Sequence, residues 1–104
     1  MKTSELTGAA LDWAVAKCEV GEEFIGEIDD PHFYSTDWAQ GGEIIEREGI
    51  CINSDVQDYG TDWEAHRPER GSLRGETPLI AAMRCYVAGE LGDEVEIPNE
   101  LTKG

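Results

Sequence analysis

TPLIAAMRCYVAGELG, residues 77–92, decides the architecture of this chain. Proline suits the first position of a helix, because its missing N–H would be unsatisfied there anyway and its φ is already helical. Thr77 ahead of Pro78 therefore reads as an N-cap, and the helix runs to about Leu91, where Gly92 supplies a left-handed cap. Ile80, Met83, Val87 and Leu91 recur at helical spacing as one apolar stripe, and Ala81, Ala82 and Ala88 permit close packing. A helix so apolar needs a surface to cover.

Upstream, residues 68–75 read as a polar, glycine-containing connection, and residues 61–67 as a strand with Trp63 and Ala65 on one face. Ile50, Cys51 and Ile52 have strand character, and the turn residues between 53 and 60 make the pair a hairpin across a loose connection. Residues 43–48 read as a brief helical turn closed by Gly49. HFYSTDWAQGG, residues 32–42, reads as a long loop in which Ser35 or Thr36 caps one short turn around Trp38 before Gly41 and Gly42 break it. Residues 23–28 make a strand that Asp29, Asp30 and Pro31 stop. A first helix starts at the N-cap Thr7, with Leu6 and Leu11 spaced as a hydrophobic staple, and runs to about Glu19 before Gly21. Leu11, Val15 and Cys18 face inward on it, while Asp12, Lys17 and Glu19 look outward. Downstream of Gly92, residues 95–97 form a short strand ended by Pro98.

The order helix, strand, loop, hairpin, helix, strand implies an α+β fold, a small antiparallel or mixed sheet with two helices packed on one face. At 104 residues the expectation is a single α+β domain spanning 1–104. Leu, Ile, Val and Phe number only 21, so order must come from pattern rather than abundance. A short sheet also leaves edges open to self-association as a homo-oligomer.

With 23 acidic residues against 8 Lys and Arg, the formal charge is −15, spread along the chain without an acidic tail. Such a surface repels nucleic acid and anionic lipid and attracts a basic partner. Cys18, Cys51 and Cys85 are an odd count at wide spacing, which fits reduced cytosolic thiols rather than a disulfide framework or a zinc site. No stretch resembles a signal peptide or reaches bilayer length, so the expected location is cytoplasmic.

Two constellations invite chemistry. The aromatic loop carries Tyr34, Ser35, Thr36, Asp37, Trp38, Gln40, Gly41 and Gly42, a mix of ring faces and polar groups able to form a pocket. The alternative is that Phe33 and Trp38 anchor a long loop onto a thin core. The second constellation, HRPERGSLRG, holds His66, Arg67, Arg70 and Arg74 just after Trp63, a combination suited to a ligand that stacks and carries phosphate, or else to internal pairing with surrounding acids. Asp29, Asp30 and His32 offer metal ligands, but a turn around Pro31 is the better reading, and in the acidic span 55–66 Tyr59 and His66 stand where a calcium loop requires carboxyl ligands. No metal, cofactor or catalytic residue is assigned, because neither histidine lies near a cysteine or serine in a recognisable motif.

SELTGAALDWAVAKCE, YSTDWAQGG, IIEREGI and TPLIAAMRCYVAGELGDEVEIP together resemble the phage NinX family, found in tailed phages and prophages. The resemblance covers nearly the whole chain in the right order. It implies a phage or prophage gene expressed in the cytoplasm of an enterobacterial-type host, and it brings no established activity. Glu43 and Glu76 depart from it by standing where proline is expected in a turn.

Three functions follow as expectations. The first is a non-enzymatic accessory protein, an acidic inhibitor of a host defence or nucleic-acid-binding protein with a basic surface. The second is a sequestering protein for a small nucleotide-like signalling ligand, held by the aromatic loop and the arginine island. The third is a small hydrolase using a carboxylate such as Asp37 as general base.

Overall fold

The helix expected in residues 77–92 forms, and the other described elements are arranged around it. The computed structural model describes residues 2–21, 33–55, 62–67 and 71–97. Among these the elements run as a 3-10 turn (Thr3–Glu5), α1 (Gly8–Val20), α2 (Trp38–Glu48), β1 (Cys51–Asp55), β2 (Asp62–Arg67), β3 (Gly71–Gly75) and α3 (Pro78–Leu91). The Thr77 hydroxyl caps α3 by accepting from the Ile80 amide at 3.1 Å. Leu79 and every residue from 81 to 87 are buried, so the apolar surface is wider than one stripe. A helix apolar on all sides belongs inside a molecule. Accordingly α3 crosses all three strands, and α1, α2 and the 3-10 turn pack against it.

The sheet is antiparallel in the order β1-β2-β3. Cys51 pairs with His66 and Ile52 with Ala65 across β1 and β2, confirming the hairpin. Ala65 is fully buried and Trp63 packs beside it against the core, on the face the alternation assigns. Residues 71–75 correct the expectation of a polar connection, because they form β3, with Leu73 opposite Ala65 and Gly75 opposite Trp63. GSLRG offers a single apolar residue and glycine at both ends, too little for a period-2 signal. The α+β class stands, with three α-helices among the described residues rather than two.

The double glycine does not break the second helix. Asp37, not Ser35 or Thr36, is its N-cap, accepting from the Ala39 amide at 2.9 Å, and the helix continues through Gly41 and Gly42 to Glu48. Glu43 thus lies inside a helix and not in a turn. Gly49 ends α2 in the left-handed conformation, φ 66° and ψ 38°, as its position predicts. Gly92 also has positive φ, 89°, but its ψ of −166° is extended, so α3 ends without the expected left-handed cap.

Two further expectations change at the ends. Residues 95–97 form no strand; instead Lys2 and Glu94 make an isolated bridge, the Thr3 amide donates to the Asp93 carbonyl at 2.8 Å, and its hydroxyl donates to the Gly92 carbonyl at 2.6 Å. Asp12 does not look outward: it is buried, and its Oδ1 accepts from the Ser35 amide at 2.7 Å. That bond pins the segment before α2 onto α1. The strand expected at 23–28, the Asp29, Asp30 and His32 cluster, and Arg70 lie outside the described residues. Among the described residues, no helix is long and apolar enough to cross a membrane.

Candidate functional site

The segment from Phe33 to Gly42 is held at three points, and its aromatic residues are sorted by them. Asp12 holds Ser35, the Asp37 cap starts α2, and the Phe33 amide donates to Gln40 Oε1 at 2.9 Å. Tyr34 is half-buried against the core, and burial raises its phenol above the ordinary tyrosine range. Phe33 and Trp38 do the opposite of anchoring: they are 48% and 55% exposed, and they are the exposed large hydrophobic residues among those described. Two bare aromatic rings within one short segment are the kind of surface that a partner covers.

Beside Trp38 runs a groove of ≈ 220 Å³, with Ser35, Thr36 and Trp38 on one wall and residues 77–80 on the other. It forms because α2 and α3 approach closely there. A Cβ on Gly41 would fall on the Tyr34 carbonyl and within 2.6 Å of Leu79 Cδ1. Ser35, at the groove, is 2% exposed, and its Oγ is sealed with no hydrogen-bond partner. An unsatisfied buried hydroxyl costs about 1–3 kcal/mol, which a donor or acceptor reaching it would recover.

The arginine island does not join this groove. Arg67 is 7% exposed and is spent internally, with Nη2 at 2.7 Å from Glu48 Oε1 and 3.4 Å from Glu90 Oε1, and its guanidinium over the Tyr86 ring at 5.6 Å. Arg47 continues the network, gripping Glu19 at 2.9 and 2.6 Å and Glu48 at 2.9 Å. The Tyr86 hydroxyl donates to Glu19 at 2.5 Å. The Arg47 guanidinium, aided by that hydroxyl, holds the Glu19 carboxyl below the usual range. Arg74 lines a different cleft, at β3, and Trp63 belongs to the core. Of the residues expected to meet, Ser35, Thr36 and Trp38 line one groove, Tyr34, Asp37, Gln40 and Gly41 build its supports, and Gly42 lies in α2 with room beside Trp38.

Sequence reading missed the second wall of the groove, since Thr77 and Pro78 signal a helix start and say nothing of what that start faces. It also missed a juxtaposition on the outer face of the sheet, where strand pairing sets exposed Cys51 opposite His66 and His66 opposite Ser72. The other thiols are suppressed by burial, which pushes Cys18 up to about 12 and raises Cys85. Among the described residues no group of three His, Cys, Asp or Glu is placed to hold a metal ion.

The model of the family described as Bacteriophage P22, NinX matches residues 2–90. No curated protein matches the chain.

Proposed function

We propose that this chain, which belongs to the Bacteriophage P22 NinX family, is a non-enzymatic accessory protein that modulates the host cell by binding a host protein with a basic surface. The exposure of Trp38 beside the groove carries this reading. A bare tryptophan next to a small cleft supplies the anchor of an interface, and the −15 charge supplies long-range attraction to a basic partner. The nucleotide-sequestering alternative draws less support, because Arg67 is paired internally and Arg74 lines a separate cleft. The hydrolase alternative has even less, since Asp37 is occupied as a helix cap.

The test is capture from a lysate of an enterobacterial-type host at low salt, followed by affinity measurement with the recovered partner. A basic partner is expected, bound progressively more weakly as salt rises. Trp38→Ala should weaken binding by roughly 30-fold, the equivalent of the ~2 kcal/mol typical of an aromatic hot spot. Failure to recover a partner at low salt, or a partner indifferent to both salt and Trp38, would sink the proposal.

A further inference from the structure

Arg84 is a cation in the middle of the most buried helix of the molecule, 9% exposed among apolar neighbours. Its Nε donates to the Leu6 carbonyl at 2.7 Å and its Nη1 to the Arg74 carbonyl at 2.8 Å. Both acceptors are neutral, and among the described residues no carboxylate lies within ion-pair distance of it. Burial pulls its ionisation below the ordinary arginine range, opposed by the more distant charge of Glu76. Buried charges are normally paired, so a guanidinium held this way has attractive capacity that the fold does not use.

That capacity faces a space. A cleft of ≈ 430 Å³ at β3 is lined by Ser4, Glu64, Ser72, Arg74, Glu76 and Arg84, together with the β3 backbone. Its volume falls within the range of small-molecule sites. Nη2 of Arg84 makes no hydrogen bond to any described residue, yet it is not among the atoms sealed from solvent without a partner. The same walls carry two carboxylates, Glu64 opposite Arg74 on the sheet and Glu76 just before α3. Against Arg74 and Arg84 on the same walls, these two carboxylates leave no net positive charge to favour a multiply charged phosphate. A molecule with one carboxylate and one positive group satisfies both signs.

We propose that this cleft is a binding site for a small zwitterionic carboxylate of the amino-acid class, whose carboxylate is received by Arg84 Nη2 and whose ammonium faces Glu64 and Glu76. Ser4 and Ser72 supply hydroxyls that complete the recognition. The site is separate from the Trp38 groove, since the two share no lining residue.

The experiment follows the Arg84 Nε–H resonance of the 15N-labelled full chain during titration with glycine, L-glutamine, acetate and inorganic phosphate. The zwitterions should move that resonance at lower concentration than acetate or phosphate. Glu76→Gln together with Glu64→Gln should reverse the order, tightening acetate and phosphate at least several-fold. Arg84→Lys should weaken the zwitterions about tenfold or more; if it fails to fold, Ser72→Ala should still weaken them with the fold intact. The proposal is overturned if no probe moves the Arg84 resonance, if phosphate binds more tightly than the zwitterions to the unmodified chain, or if neutralising both glutamates leaves the order unchanged.

Discussion

Gly41 sits where a methyl group has no room, between the Tyr34 carbonyl and the Leu79 side chain, whereas at Gly42 the nearest atom is Trp38 Cε3 at 3.6 Å. The two neighbours therefore predict opposite outcomes. Gly41→Ala should destabilise the protein by about 1–3 kcal/mol through overpacking, while Gly42→Ala should stabilise it by about 0.5–1 kcal/mol because alanine loses less backbone entropy in a helix. Chemical denaturation of both variants checks this, and equal effects would contradict the close approach that forms the groove. At this scale the site is only partly legible in the sequence. YSTDWAQGG announces an aromatic, polar segment, but whether each ring is buried depends on Asp12, more than twenty positions away, which fixes the Ser35 amide. Arg84 carried a readable signal, a lone cation amid LIAAM and CYVA, whose meaning requires knowing that α3 is covered on every side.

Elements with strong local punctuation are visible from the sequence alone: the Thr77–Pro78 start of α3, the Gly49 stop of α2 and the Trp63–Ala65 alternation of β2. Those that depend on distant partners are not. β3 exists because β2 pairs with it, and α2 crosses two glycines because its cap and its contact with α3 outweigh a propensity cost of about 1 kcal/mol per glycine. The helices are further tied by the network of Glu19 from α1, Arg47 and Glu48 from α2, Tyr86 and Glu90 from α3, and Arg67 from β2. Glu19 is held below its ordinary value of 4.5, so its contribution is present above that value and is lost as pH falls through the lower folded value. Thermal melts should show Glu19→Gln less stable than the unmodified chain at neutral pH, with the gap closing well below pH 4.5. A gap independent of pH would remove the ionised network from the account.

At the scale of the whole molecule, a thin core built around one helix carries a surface with a formal charge of −15. The completely buried Leu6, Leu11, Ile44, Met83, Val15 and Val87 each contribute about 1.5–3 kcal/mol of burial against self-repulsion of the acids. Against that acidic background, Phe33 and Trp38 leave apolar area uncovered, and Trp38 stands on the wall of the groove between α2 and α3. In the proposed function, charge brings a basic partner near and the exposed aromatics decide where it stops. The most direct measurement is the chemical-shift map of the 15N-labelled chain on titration with the captured partner at low salt. The largest changes are expected at Phe33, at residues 35–38 including the Trp38 indole N–H, and at residues 77–80. Changes centred on the outer sheet face, or spread evenly over the acidic surface without the Trp38 indole, would contradict the account.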